Sequence, residues 1–272
     1  MHKAFNEAEY LFANPDVASA VASGSFKSGY EHYVKYGKAE GRVCGESPRQ
    51  KKALSMLNRQ GLGLEIGPSY SPIAPKKKGF NVHVVDHLCT MDLKRKYEGH
   101  GVSVDTIEEV DFVWNGQPLA ELVGQSAVYD WIIASHVIEH VPDLITFLQQ
   151  CRKILKPSGY LSLIIPDKRA CFDYFNPTSY TGAFLDAYYE KRIKPSPGQV
   201  FDHFSNACKN GENIAWELGR QGKYKLVHDV KEAMDMMRKS RDDGEYVDTH
   251  CWRYTPDSFR LRVIFKSCVL KT

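Results

Sequence analysis

Leu64-Glu65-Ile66-Gly67-Pro68-Ser69 and Val82-His83-Val84-Val85-Asp86 are the two stretches whose reading decides the fold. Each is a short apolar run, rich in branched side chains and too short for a core helix. Such runs read as strands buried on both faces of a parallel sheet. Gly67 follows the first run, where the backbone must turn tightly and can approach a ligand closely. Asp86 ends the second run, 86 − 67 = 19 residues further on. An acid about 20 residues beyond a glycine turn is placed to accept hydrogen bonds from both hydroxyls of a ribose.

The glycine pattern narrows the ligand. A dinucleotide turn has three spaced glycines, because a pyrophosphate must rest on the helix that follows. Gly67-Pro68-Ser69-Tyr70-Ser71-Pro72 has one glycine and two prolines. That is a poor cradle for phosphates and suits a nucleoside without them, such as S-adenosylmethionine.

Outward from these strands the chain alternates. Strands are expected over 62–67, 82–86, 102–107, 129–135 and 160–165, with helices over 48–60 and 143–155. Leu144, Phe147, Leu148, Cys151, Ile154 and Leu155 form the apolar face of the second helix, and Lys156-Pro157-Ser158-Gly159 stops it. The fold class is α/β: a Rossmann-like, doubly wound, mostly parallel sheet covered on both faces. Residues 1–44 read as a small helical module, with helices near 7–13, 15–23 and 28–36. Residues 45–272 form the main domain, and about 170–250 read as a lid inserted over the sheet. A polar helix lies near 229–240. Thr255-Pro256-Asp257 starts a last helix running to about 264, with Thr255 as its cap. The seven residues from Lys266 to Thr272 leave room for one short strand. The expectation is either a piece of a longer polypeptide or a sheet edge covered by a partner, such as a second copy.

Composition excludes several classes. A net charge of +3, from 36 basic and 33 acidic side chains, gives no case for nucleic acid. No stretch reaches the roughly 18 apolar residues of a membrane span. The seven cysteines are scattered without a C-x-x-C pair, which points to a reducing, cytoplasmic setting with no zinc or disulfide framework.

Tyr129 through Asp143 (YDWIIASHVIEHVPD), followed by a helix and then Leu155-Lys156-Pro157-Ser158-Gly159, resembles class I S-adenosylmethionine-dependent methyltransferases of the type 11/23 kind. The resemblance spans about 62–168. It implies S-adenosylmethionine as cofactor and a set of contacts. Glu65, Gly67, Pro68 and Ser69 correspond to the first cofactor motif, with Gly67 beside the methionine part. Asp86, with His87 beside it, corresponds to the ribose-binding acid. Ile107 and Glu108 correspond to the adenine-flanking loop after strand three. Ser135 and His136 correspond to the motif beside the transferred methyl group. The single glycine departs from the family's G-x-G-x-G and thins the case for turnover. The first 44 residues resemble a small module found in bacterial surface-associated and glycan-related proteins.

Methyl transfer to oxygen needs a proton removed, and histidine suits this near neutrality. His136, at the tip of strand four, is the first candidate; shaping the cofactor loop is its other role. His203 and His250 are candidates from the lid, each beside an acid and aromatic residues. No metal site is assigned. Asp202, His203, Asp248 and His250 carry ligand types for a divalent cation if their segments face each other. Asp167 is a candidate for orienting the acceptor. The expectation is O-methylation of a saccharide or glycan-linked acceptor. The alternatives are a small-metabolite O- or N-methyltransferase and a cofactor-binding domain without turnover that belongs to a larger glycan-related assembly.

Overall fold

The computed structural model describes residues 5, 7–42 and 46–261. The strands are β1 (Gly63–Ile66), β2 (Val82–Asp86), β3 (Phe112–Val113), β4 (Tyr129–Ser135), β5 (Leu155–Ile164), β6 (Cys208–Asn210) and β7 (Tyr224–Leu226). The helices are α1 (Glu7–Ala13), α2 (Pro15–Ala22), α3 (Gly29–His32), α4 (Pro48–Leu54), α5 (Thr90–Tyr97), α6 (Leu119–Leu122), α7 (Leu144–Ile154), α8 (Thr181–Tyr189), α9 (Pro197–Asn206) and α10 (Val230–Asp242).

The main sheet has the order β3-β2-β1-β4-β5, and every pairing in it is parallel. This is the open α/β arrangement anticipated from the apolar runs. The chain starts in the middle of the sheet, steps out to β3, then crosses to β4. The switch point therefore lies between β1 and β4, and the crevice beyond their carboxyl ends is where such sheets bind ligands.

Side chains on β4 alternate between two cores. Ile132 and Ala134 join Phe147, Cys151 and Ile154 of α7 on one face. Trp131 and Ile133 join Ala53 and Leu54 of α4 on the other. A Cβ on Gly63 would meet the Trp131 indole at 2.1 Å, so this glycine is the space that the indole fills. Truncating a fully buried tryptophan such as Trp131 typically costs about 3–5 kcal/mol.

The third strand corrects the sequence reading. Residues 104–106 form a single 3-10 turn, and β3 is Phe112–Val113, opposite Val85 and Asp86. The Asp111 carboxylate accepts from Val84 N–H at 2.6 Å and so carries the pairing one step further back. A two-residue strand extended by a side chain leaves no run of branched residues to read.

The 170–250 segment holds α8, α9, the antiparallel β6–β7 pair and α10. Ser196 with Gln199, and Asp229 with Glu232, form reciprocal capping boxes that start α9 and α10. The segment returns over 247–254 and is sewn to the main body. Lys168 N–H donates to Tyr254 O at 2.8 Å, and Cys251 N–H donates to Glu139 O at 2.6 Å. Phe184 of α8 stacks on Trp252 at 4.2 Å, which ties the insertion into the α7 core.

In residues 7–42, Tyr10 hydrogen-bonds His32 Nδ1 at 2.9 Å, and the Glu7 carboxylate accepts from the backbone of Gly29 and Tyr30. The turn after α3 is a π-helix over Tyr33–Gly37. Thr255 Oγ1 accepts from Ser258 N–H, capping the helical turn that begins at Pro256. The helix beyond residue 261 and the strand expected over 266–272 lie outside the described residues. Among those described, no helix is long and apolar enough to cross a membrane.

Candidate active site

The crevice at the switch point is built by the ends of β1, β2 and β4. Gly67 leaves β1 at φ +64°, and a Cβ there would lie 2.9 Å from Val137 Cγ2. Both the left-handed turn and the close passage under Val137 require glycine. Ser69 is also left-handed, at φ +46°. This curls the turn back onto Asp86, whose Oδ2 accepts from Ser69 N–H at 2.9 Å. Asp86 is buried, and its Oδ1 lies 2.6 Å from His87 Nδ1 and accepts from His87 N–H at 2.8 Å. The acid and the glycine turn thus share one crevice. His87 stands as the acid's lateral partner, with Nε2 2.9 Å from Lys96 Nζ. Pro68 closes the turn, its carbonyl accepting from Ser71 N–H at 2.9 Å.

Two sequence-based assignments move. The Glu65 carboxylate is enclosed and accepts from Ile73 N–H at 2.6 Å and Ala74 N–H at 2.9 Å. It braces the loop behind the crevice, with both oxygens engaged by backbone. Burial pushes its pKa up to about 7, against the opposing pull of those two donors. Ile107 and Glu108 are both buried, but they precede β3, so they do not occupy the loop that leaves it. That loop is Trp114-Asn115, and Trp114 N–H donates to Asp86 O at 2.8 Å.

Sequence reasoning missed Arg49. From the first turn of α4, its Nη2 donates to Ser135 Oγ at 2.6 Å and its Nη1 to Ser71 Oγ at 2.9 Å. Nε is buried with no hydrogen-bond partner among the described residues. A guanidinium therefore bridges Ser71, beyond the glycine turn, and the tip of β4, with its buried Nε–H unpaired among the described residues. An orphaned buried donor on a guanidinium held between Ser71 and Ser135 suits the carboxylate tail of an amino-acid nucleoside.

At the tip of β4, His136 adopts φ +55°, with its side chain half exposed and Nδ1 3.3 Å from Glu139 Oε1. Glu139 is fully buried. The returning lid segment brings His250 against His140, ring centroids 4.6 Å apart. Each of these rings has its own carboxylate. His140 Nδ1 is 2.9 Å from Asp248 Oδ1, and His250 Nδ1 is 2.5 Å from Asp173 Oδ2. Burial works against the imidazolium of His140, but Asp248, with Glu139 and Asp173, outweighs it and raises the pKa. Asp173, also unflagged in the sequence, is buried with Arg253 Nε at 3.3 Å and Asn176 Nδ2 at 3.1 Å. Burial favours its neutral form, yet His250 and Arg253 hold its pKa below the usual carboxylate range.

His203 is not a base here. Burial, reinforced by His250, depresses its pKa to about 3, and its Nδ1 accepts from His250 N–H at 3.1 Å. Its lone pair is spent on holding the lid segment. Asp202 is exposed on α9 and takes no part in the cluster. Asp167 is tied to Arg169 at 2.6 Å and caps the turn at 168–170.

A parallel sheet of this order, with a glycine turn after its first strand, an enclosed acid ending the second and acid–histidine pairs over the fourth, defines a nucleoside-dependent group-transfer enzyme of Rossmann-like fold. A family model described as "Methyltransferase domain" matches residues 48–263, and the chain belongs to that family. Its cofactor is S-adenosylmethionine, and it is a methyltransferase. Among curated proteins, it is 29% identical over 175 residues to a ubiquinone biosynthesis O-methyltransferase of Actinobacillus pleuropneumoniae serotype 7, covering 61% of this chain and 67% of that one. It is 28% identical over 156 residues to the Bordetella avium protein of the same name, covering 57% of this chain and 59% of that one. A stretch of 51 residues is 47% identical to the human mitochondrial protein, covering 18% of this chain and 14% of that one. Among solved structures, it is similar to a putative sarcosine dimethylglycine methyltransferase of Galdieria sulphuraria, at 19% identity and TM-score 0.33, covering 58% of this chain and 66% of that one. It is also similar to the trans-methyltransferase CalH in complex with SAH, at 20% identity and TM-score 0.30, covering 42% of this chain and 34% of that one.

Proposed function

We propose that this chain methylates a hydroxyl oxygen of a small-molecule acceptor bound between the tip of β4 and the returning lid segment. The observation that carries this reading is His136 at the tip of β4, half exposed and with its Nδ1 3.3 Å from the buried Glu139 carboxylate. A hydroxyl is a weak nucleophile until its proton is drawn off, and an imidazole oriented by a carboxylate suits that task. The relatives' names, which specify O-methyl transfer, support oxygen over nitrogen.

When bound, S-adenosylmethionine supplies a methyl group already activated by its sulfonium. Asp86 takes the ribose hydroxyls, Gly67 leaves space for the amino-acid tail, and Arg49 pairs with its carboxylate. Ser135 holds Arg49 in place. His136, half exposed at the same rim, receives the acceptor's proton. Catalysis is then chiefly alignment of acceptor oxygen, methyl carbon and sulfur. Buried cysteines at 171, 208 and 251, outside any disulfide among the described residues, support a reducing, cytoplasmic setting. A saccharide acceptor, suggested by the exposed aromatic rings at Tyr174 and Phe175, is one arm of the test.

The test incubates the full chain with isotopically labelled S-adenosylmethionine and panels of phenols, saccharides and amines, with calorimetric titration of the cofactor alongside. Transfer to a hydroxyl is the expected result. Transfer only to amines overturns the oxygen assignment. Cofactor binding with no transfer in any panel favours a domain without turnover.

A further inference from the structure

We infer that Glu139, His140 and His250 bind a divalent first-row transition cation of the zinc class. One donor atom from each lies within 4.8 Å of the others. The Glu139 carboxylate is 0% exposed, and neither of its oxygens accepts a hydrogen bond from the described residues. Among the described residues its ion-pair contact is with His136 Nδ1, at 3.3 Å. A buried carboxylate without donors is strongly unfavourable, and a cation supplies what is missing.

The two imidazoles provide the second, independent observation. His140 and His250 each present Nδ1 to a carboxylate, Asp248 and Asp173 respectively. Metal-binding histidines characteristically give their other ring N–H to a carboxylate, which fixes the tautomer and the ring orientation. Nε2 of each ring is then left with a free lone pair. Two imidazoles and one carboxylate suit zinc-class cations better than magnesium or calcium, and three protein ligands leave a position open. Ligands about 2.1 Å from such a cation sit about 3.4 Å apart, so donor atoms now within 4.8 Å of one another must draw together by up to about 1.4 Å. Their backbones are already locked, because Cys251 and Trp252 N–H groups both donate to Glu139 O and Trp252 Nε1 donates to Val141 O.

The consequence for chemistry rests on the transfer reading above. A cation beside the acceptor lowers the pKa of its hydroxyl. The O–H bond breaks with its proton passing to His136. The oxygen forms the new bond to the methyl carbon, and the electron pair of the broken C–S bond stays on sulfur.

The experiment treats the full chain with chelator, then titrates Co2+ and Zn2+, following the visible absorption of cobalt and the heat of zinc binding. S-Adenosylmethionine binding is measured separately on the same preparation. One cation per chain is expected, weakened about a hundredfold or more in Glu139→Gln and His140→Gln, and about tenfold in Asp248→Asn, which disturbs only ring orientation. His140 is only partly enclosed, so its variant serves if Glu139→Gln fails to fold. No stoichiometric binding by the wild type, or binding unchanged in His140→Gln, overturns the inference. Cofactor binding without cation binding defeats the metal site alone, and cation binding without cofactor binding defeats the transfer reading alone.

Discussion

The backbone N–H of Ser69 donates to Oδ2 of Asp86 at 2.9 Å, so the turn after the first strand closes directly onto the acid that ends the second. The carboxylate pins the turn, and in the function proposed above it also accepts from a ribose hydroxyl, in place of the His87 ring or the Ser69 hydroxyl. Asp86→Ala removes both, and each hydrogen bond to a charged group is worth about 1.5–3 kcal/mol. Loss of one such bond to the ribose weakens cofactor binding about 10- to 150-fold. Titration of S-adenosylhomocysteine into the variant checks this. Affinity within threefold of wild type removes Asp86 from the cofactor site.

Arg49 is expected to act on the cofactor's tail and not on its sugar. Arg49→Met keeps the aliphatic packing and deletes the charge, so affinity for S-adenosylhomocysteine falls about tenfold or more. Affinity for adenosine, which has no carboxylate, stays within twofold. The contrast between the two ligands is the readout, since a merely structural loss lowers both. Arg49→Lys restores little, because a point charge cannot span Ser71 and Ser135 as a planar fork does.

The elements legible in the sequence were those whose signal is local. β2 and β4 have the ranges expected from their apolar runs, and α7 lies within one residue of its expected ends. The sites that escaped notice depend on long-range contacts. Arg49 meets Ser135 across 86 residues of sequence, and His250 meets Asp173 across 77. Nothing in Pro48-Arg49-Gln50 differs from an ordinary helix start. His203 and His250 looked alike on paper because each sits near an acid. Only folding shows that one has a carboxylate on its ring and the other a backbone N–H.

Gly67 is expected to resist substitution for two separable reasons. Gly67→Ala places a side chain in the left-handed region, at about 1–2 kcal/mol, and drives its Cβ to 2.9 Å from Val137 Cγ2. Chemical denaturation of Gly67→Ala, of Val137→Ala and of the double variant separates the two. The double variant recovers the contact part of the loss and leaves the backbone part. Strict additivity of the two single changes shows that Val137 does not press on the turn.

Glu65 sets a pH dependence for stability that lies outside the chemistry. In the folded chain burial raises its pKa to about 7, from an unfolded value of 4.5. Between those values the folded chain holds a proton that the unfolded chain has lost. Stability therefore falls as pH rises through that window, and the contribution is fully present below 4.5. Glu65→Gln stands in for the protonated acid, keeping one acceptor for the Ile73 and Ala74 N–H groups while losing the titration. Urea unfolding of both proteins from pH 5 to pH 8 is the measurement. The wild type is expected to lose ground to the variant as pH climbs. Parallel curves across the range place the Glu65 carboxyl outside that window, fully ionised and held by its two backbone donors.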